Sequence, residues 1–569
     1  MTDHNDKPTT PAPALAPEAA ARIVALVQGG DAPAAAALPH VEAPPLAPDA
    51  PPADERTPAD AEPPEPRRRR GRPRKRRTED GGGENGDVEE RAPRRRATAG
   101  DTIGEVTAGG EFWHAPDRTG YATVDVDGHR EHWAVESKGF ERWLADRTFL
   151  ITGAAPTSQA LRDVVRLCDV LAQRGAEHPV FRRVARMEGR IFIDLCDDSW
   201  RAVEVDRHGW SVAAAPAVKF LRSPGMLALP EPEASDTGLG ELRGLVNADS
   251  DEDYVLTVAW LVGALGGVSA FPVAVLNGEA GSGKSRLATR LRALVDPHVA
   301  PMRSPPKDLR DLFAGASNEF VIVLDNISSM THELSDELCR IASGSASSAR
   351  ALHTNTEQIF LTGARPIILN GIGGHFGAQA DLMSRALSIR LAAIPETGRR
   401  TDAAMDLEFA AVRPRILGAL LDAVSAGLRN LETVALERLP RMADFALWMS
   451  AAEPGLGWEP GTFVAAMEAG REEATQAAFD ADEVAKAIVD FITDEHSVAG
   501  WEGTPSALLE ALNRRVTEDV RRFRSWPTTA TGMGTRIDRV AGLLRHKGLS
   551  ITRRRGAQRT VFIKPFSKR

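Results

Sequence analysis

The sequence predicts a multidomain α/β protein built round a phosphate-loop (P-loop) core, and three observations carry that prediction. A glycine-rich loop ending in Gly283-Lys284-Ser285 sits between an apolar strand and a helix. A second apolar run, Phe320 to Leu324, ends in Asp325, and a third, Pro366 to Leu369, ends in Asn370. Strongly basic segments lie near both ends of a chain whose net charge is −9. The length of 569 residues is too great for one core, and at ~150 residues per domain it predicts three or four. Hydrophobic residues at 42% and charged residues at 26% fit a soluble globular chain. Cys168, Cys196 and Cys339 lie far apart with no C-x-x-C, which argues against a disulfide framework or a zinc knuckle. No basic-then-apolar leader opens the chain, so a cytoplasmic protein is expected.

Residues 1–100 are expected to be a disordered tail. Proline and alanine make up half of the first 66 residues, too little apolar surface to offset the entropy of ordering. Within them, Ala19 to Val27 fits one transient amphipathic helix. Nine of the eleven residues from Arg67 to Arg77 are basic, and a second cluster follows at Arg94 to Arg96. Arg70-Gly71-Arg72-Pro73-Arg74-Lys75 resembles an AT-hook: glycine and proline keep the backbone narrow, so Arg72 and Arg74 enter an A·T-rich minor groove. The plainer alternative is a polybasic linker that binds phosphates without preference.

Residues 101–235 predict a mixed α/β domain. Val164 to Leu171 reads as helix, and Gly189 to Leu195, Trp200 to Val205 and Trp210 to Ala214 read as a three-strand meander. Asp194, Asp197, Asp198, Glu204 and Asp206 are candidate metal ligands, but strand-end carboxylates beside polar turns are more often structural.

Residues 236–400 carry the chemistry. Leu256 to Leu276 holds no charge over 21 residues, long enough to span a bilayer. Gly266-Gly267 and Pro272 break it, so a buried helix, a turn and a buried strand are expected, with no membrane partner. Gly278-Glu-Ala-Gly281-Ser-Gly283-Lys284-Ser285 is a Walker A loop with its required flanks. Its glycines let backbone N–H groups close round phosphates at a positive helix end. Lys284 is placed on the β- and γ-phosphates of ATP, and Ser285 with Asp325 on Mg²⁺. Asn370 suits orientation of the attacking water, and Arg385, before the strand Ala386 to Leu391, suits stabilisation of the transferred phosphoryl group, commonly from a neighbouring subunit. An ordinary salt-bridging arginine is the alternative for Arg385.

Beyond residue 400 the pattern is helical. Ile416, Leu417, Leu420, Leu421 and Val424 predict one long helix, and residues 401–480 are expected to form a helical lid beside the nucleotide. Residues 481–569 read as a winged helix, with helices from Asp482, Thr504 and Met533 and strands Ser550 to Arg554 and Arg559 to Ile563. From Gly534 onward there are 11 basic residues against Asp538 alone. Arg536 and Arg539 on the third helix and Arg553, Arg554 and Arg555 on the wing are the expected contacts to duplex DNA. Docking of a protein is the alternative use of such a domain.

The order Walker A, Walker B, a Gly/Ser-rich segment (Ile341 to His353), a strand ending in Asn and an Arg before a strand resembles superfamily 3 helicases, the AAA+-type replication helicases of viruses, plasmids and prophages. The whole chain also resembles the large ATP-binding replication proteins of bacterial mobile elements. The first resemblance covers about 150 of 569 residues, with only the Walker A loop specific by itself. It implies an AAA+-like core, a homo-oligomeric ring and a DNA-gripping hairpin, here placed on Arg350 and His353. One departure stands out. Many ring ATPases follow the Walker B aspartate with a glutamate base; this chain has Asn326, whose amide accepts no proton. The expected function is therefore an ATP-binding, DNA-acting ATPase of a mobile element, a helicase or initiator. The alternatives are an ATP-switched DNA-binding regulator or partition factor, and, with little support, a primase-coupled factor.

Overall fold

The computed structural model describes residues 107–566 except 329, 345–346, 351–357, 362, 372–379, 399, 524 and 556–558. The tail with Arg72 and Arg74, and His353, lie outside the described residues, as do the side chains of Arg350 and Arg555. All packing described below lies within one unit, Gly109–Leu150 with Ala154–Arg569.

The chain begins with an antiparallel meander, β1 (Glu111–His114), β2 (Gly120–Val126) and β3 (His129–Ala134), followed by helices α1 (Lys138–Thr152) and α2 (Ser158–Arg174). A short strand β4 (Val180–Phe181) precedes β5 (Val184–Met187), β6 (Arg190–Asp194), β7 (Ala202–Asp206) and β8 (Gly209–Ala213). These last four form one antiparallel sheet, one strand more than the expected meander. The extra strand is β5, and β9 (Lys219–Phe220) returns to pair in parallel with β4.

The uncharged stretch resolves as the patterning requires. After α3 (Gly238–Leu245), helix α4 (Asp251–Leu265) starts where Ser250 Oγ accepts the Asp253 N–H at 3.1 Å, and it is buried along almost its whole length. The glycine pair then turns the chain into β10 (Val273–Asn277). Helix α5 (Lys284–Val295), α6 (Leu309–Asn318), β11 (Ile322–Ile327) and α7 (His332–Ala342) follow. A hairpin, β12 (Ser347–Arg350) with β13 (Gln358–Leu361), separates these from β14 (Ile367–Gly371), a single turn α8 (Ala380–Met383) and β15 (Ala386–Arg390). β10, β11, β14 and β15 form a parallel sheet in the order β11-β14-β10-β15. Both faces are covered, because alternate residues serve different cores: Ala274, Leu276, Val323 and Ile368 point one way, and Val275, Ile322, Leu324 and Leu369 the other. That is why each strand reads as a continuous apolar run.

Residues 401–480 are helical, as α9 (Asp402–Asn430), α10 (Ala443–Ala452) and α11 (Thr462–Asp480). Leu417, Leu420, Leu421, Val424, Phe445, Trp448 and Phe463 share one apolar core with α4, with β6 and β7, and with Leu276 and Leu387 of the parallel sheet. α9 meets α5 at several points: Arg286 pairs with Asp406 at 2.8 Å and with Asp402, Arg290 lies 5.9 Å from the Phe409 ring centroid, and Arg413 donates to the Ala293 carbonyl. One apolar core therefore runs across the boundaries drawn near residues 235 and 400, while smaller cores stay on one side of them.

A last core holds α12 (Glu483–Glu495), β16 (Trp501–Gly503), α13 (Pro505–Arg515), α14 (Glu518–Arg522), α15 (Ala530–His546) and the hairpin β17 (Leu549–Arg555) with β18 (Arg559–Pro565). β16 adds a third strand, in the order β16-β18-β17. Thr504 caps α13 through the Ala507 N–H at 3.2 Å, with Pro505 in its first turn.

Candidate nucleotide site and nucleic-acid surfaces

Because the four strands run parallel, the C-terminal ends of β10, β11 and β14 open on one edge, and the loop from Gly278 to Gly283 leaves from it. Two glycines are required by geometry. Gly283 enters α5 in the left-handed region, φ 88°. At Gly278, φ 147°, a side-chain carbon would sit 2.7 Å from Ser282 Oγ and 2.9 Å from the Leu391 carbonyl. Lys284 folds back over the loop and donates to the carbonyls of Gly278 (2.8 Å) and Glu279 (2.7 Å). Burial lowers the pKa of its ammonium, opposed by the charge of Asp325.

Three of the expected residues converge. Asn370 Nδ2 donates to Ser285 Oγ at 3.0 Å and also to Asp325 Oδ1, while Ser285 Oγ donates to Asp325 Oδ1 at 3.1 Å. Asn370 is 3% exposed, and Leu276 is its partner on β10, so its amide is fixed between the two Walker strands. A hydroxyl and a carboxylate are the hard oxygen donors that Mg²⁺ prefers, with phosphate and water completing its shell. Ser282 Oγ in the loop is buried without a hydrogen-bond partner, a polar atom left for a ligand to satisfy.

Arg385 stands elsewhere. Ala386 pairs with Val273, the first residue of β10, and the Val273 N–H donates to the Arg385 carbonyl at 3.1 Å. Arg385 is thus at the N-terminal edge of the sheet, five strand residues from the loop, or roughly 16 Å at ~3.3 Å per residue. Its guanidinium faces Asp381 at 3.4 Å. Within one chain it does not join the Ser285–Asp325–Asn370 cluster. Asn326 lies on an irregularity of β11 between Leu324 and Ile327 and is left-handed, φ 56°. Asparagine tolerates that conformation, and glutamate does so poorly.

Sequence reasoning missed two supports of the loop. Asn247 Nδ2 donates to the carbonyls of Ser282 (3.2 Å) and Ala392 (2.6 Å), pinning the loop from behind. No sequence signal marks it, since its partners are 35 and 145 residues away. Arg286, beside the motif, is the ionic link to α9 described above.

The acids of the antiparallel sheet are structural in this fold. Asp194 accepts Arg222 at 2.7 and 3.1 Å, Asp197 holds Arg201, Glu204 holds Arg190, and Asp206 caps the His208–Gly209 turn. Among the described residues no three His, Cys, Asp or Glu converge as a metal site, and no helix is long and apolar enough to cross a membrane.

On the C-terminal unit one expectation is corrected. Arg536 does not point into solvent: its side chain is 20% exposed and pairs at 2.5 Å with Asp482, the N-cap of α12. Met533, Ile537, Val540 and Leu544 are the buried stripe of α15, and Arg536 lies on its flank. Arg539 is exposed. Arg553 reaches Asp538 at 2.9 Å and the Gly534 carbonyl at 2.5 Å, and Arg554 lies 5.1 Å from the Phe562 ring centroid. A groove of about 360 Å³ between α15 and β17 is lined by Asp538, Arg545 and Arg553 among others.

Comparison with known proteins adds a coarse function. A family model for the actinomycete integrative conjugative element replication protein matches residues 239–459, and a model for the AICE RepA C-terminal domain matches residues 484–568. No curated protein matches. Among solved structures, the A form apo structure of the NrS-1 C-terminal region is similar at 12% identity, covering 81% of this chain and 98% of that one, with a TM-score of 0.34. A second apo structure of that region stands at 13% identity, 81% and 97% coverage, and a TM-score of 0.33. Scores this low bear on neither fold nor function. The two family matches support a mobile-element replication protein, and their junction near residue 480 falls where the last apolar core begins.

Proposed function

We propose that this chain, similar over most of its folded length to mobile-element replication proteins, is an Mg·ATP-dependent, DNA-acting P-loop ATPase of AAA+ type, a replicative helicase or initiator. The observation that carries this reading is the meeting of Ser285, Asp325 and Asn370 beside the glycine loop. The loop N–H groups and Lys284 bind the phosphates, and Lys284 exchanges its two carbonyl partners for phosphate oxygens as ATP enters. Ser285 and Asp325 would hold Mg²⁺, which would supply charge neutralisation at the phosphates. Asn370 orients the attacking water. The strand of Asn370 between the two Walker strands supports the AAA+ assignment. The position of Arg385 on the far edge supports a homo-oligomeric ring, because that guanidinium meets a γ-phosphate only across a subunit boundary. The helix–strand–helix–helix–helix–hairpin order of residues 483–565, with α14 only five residues long, supports a winged helix, which sets Arg539, Arg553 and Arg554 on duplex DNA.

A second reading, an ATP-switched DNA binder that turns over little ATP, is favoured by Asn326 alone. ATP hydrolysis with and without single- and double-stranded DNA separates the two. The motor reading expects DNA-stimulated turnover that Lys284→Ala and Arg385→Ala abolish, that Asn370→Ala lowers about 100-fold, and that Asn326→Ala leaves standing. ATP binding with background turnover on every DNA replaces the motor with the switch. Failure of the wild type to bind ATP removes both.

A further inference from the structure

Sharing no lining residue with the glycine loop, a partly open cavity of about 200 Å³ in the N-terminal part of the fold is lined by Arg130, His132, Asp194, Trp200, Lys219 and Phe220 among others. That is room for about seven waters at ~30 Å³ each, a ring-sized occupant. Trp200 sits at φ 55°, a backbone region that a bulky residue occupies only where the surroundings impose it, and such residues cluster at ligand sites. The Arg222 guanidinium lies 4.1 Å from the centroid of its indole, and His132 meets it edge-on at 5.8 Å. His132 Nδ1 bonds to Thr123 Oγ1 at 2.9 Å, and among the described residues its Nε2 has no hydrogen-bond partner.

The charge round the cavity is not balanced. Of the charged lining residues, Arg130 and Lys219 outnumber Asp194, and among the described residues the first two share Glu111 while Asp194 pairs with Arg222. Glu111 Oε2 is shared between Arg130 (2.7 Å) and Lys219 (2.9 Å), and the Arg130 side chain is half exposed. Burial, with the neighbouring cations, pushes the His132 imidazole down to about 3, so it stays neutral at working pH and adds an aromatic wall. The result is an aromatic pocket with a net positive rim.

We propose that this cavity is a second nucleotide site, holding one base against Trp200 and His132 with its phosphate on Arg130. Aromatic stacking is indifferent to base identity because every base has a π-face, and it contributes roughly 1–3 kcal/mol per base. The nucleotide comes either free or as an unpaired residue of single-stranded DNA. The site owes nothing to Lys284, so its test runs on full-length protein carrying Lys284→Ala, where phosphate-loop occupancy is removed.

The probes are a single-stranded oligonucleotide containing 5-iododeoxyuridine and free 5-iododeoxyuridine triphosphate, which crosslink to stacked aromatic side chains on irradiation. The expected adduct maps to the tryptic peptide 191–201, which carries Trp200. Arg130→Ala lowers its yield about tenfold without moving the melting temperature. An adduct from the oligonucleotide alone assigns the site to single strands, one from the triphosphate alone to free nucleotide, and one from both to either form. No adduct on 191–201 from either probe, or a yield unchanged by Arg130→Ala, overturns the proposal. The wild-type hydrolysis assay is unaffected by either outcome, so the two readings fail separately.

Discussion

Arg183→Ala is expected to be among the most destabilising single substitutions in the chain. Arg183 is 0% exposed and Asp296 1%, although 113 residues separate them. The guanidinium donates to Asp296 Oδ1 at 2.9 Å, to the Asp194 carbonyl at 2.9 Å and to the Leu227 carbonyl at 2.8 Å. Truncation leaves one carboxylate oxygen and two carbonyls without those partners, in a space closed to water. Removing one partner of a buried pair costs about 3–5 kcal/mol, because the remaining charge is stranded, whereas an exposed pair is worth about 0–1. At roughly 2–4 °C per kcal/mol the melting temperature falls by about 6–20 °C. The other oxygen of Asp296 accepts the N–H groups of Phe320 and Val321 at 3.1 Å each, at the head of the run that ends in Asp325. On the proposed function, loosening Asp296 is therefore also expected to weaken ATP binding. Guanidinium denaturation followed by tryptophan fluorescence, beside the exposed control Arg522→Ala (partner Glu518), measures the first effect, and titration with a fluorescent ATP analogue measures the second. A loss below about 1 kcal/mol, equal to that of the control, would refute the argument that this pair ties the antiparallel sheet to the Walker B strand.

Four further substitutions have outcomes set by local geometry. The folded His132 pKa of about 3 lies below the ordinary 6.5, so its contribution to stability is complete above pH 6.5 and is lost as pH falls toward 3. Urea midpoints at pH 7 and pH 5 should show the wild type losing on the order of 1–2 kcal/mol more than His132→Asn, and an equal loss would sink the assignment. Arg536→Ala should destabilise the C-terminal unit by about 1–3 kcal/mol through loss of the Asp482 pair, while leaving the DNA affinity of folded protein unchanged. Arg539→Ala should do the reverse, weakening duplex binding with a salt slope smaller by about one; melting curves and salt-dependent anisotropy read both. At Gly418 a side-chain carbon would stand 1.9 Å from the Glu233 carbonyl, so Gly418→Ala must displace backbone and should cost at least about 2 kcal/mol by thermal melting.

What the sequence made legible was whatever depends on neighbours along the chain. The strands of the parallel sheet are buried on both faces, so their apolar runs stand out, and the polar tips Asp325 and Asn370 are visible where those runs stop. The C-terminal helices were legible through caps such as Thr504-Pro505. Partners distant in sequence left no such trace. β16 is three residues long and takes its identity from pairing with β18, and Asn247 takes its role from Ser282 and Ala392. Helical periodicity put Arg536 at the margin of an apolar stripe, where solvent and Asp482 were both open to it, and only the fold chose between them. The same holds for the four-stranded antiparallel sheet, three of whose strands could be read but whose burial against α4 and α9 could not.

Asn326 shows the two levels acting together. Read alone, an amide after the Walker B aspartate marks a missing base. In the fold, that residue occupies the left-handed region on an irregular turn of β11, and a non-glycine residue there costs roughly 1–2 kcal/mol unless its side chain suits the conformation, as asparagine does. The backbone and the residue type are therefore matched, and the absence of glutamate is built into the strand end. On the proposed ATPase reading, a base that activates water would come from outside this position, and Glu279, exposed within the glycine loop with its own carbonyl accepting Lys284, is the acid that the motif itself supplies.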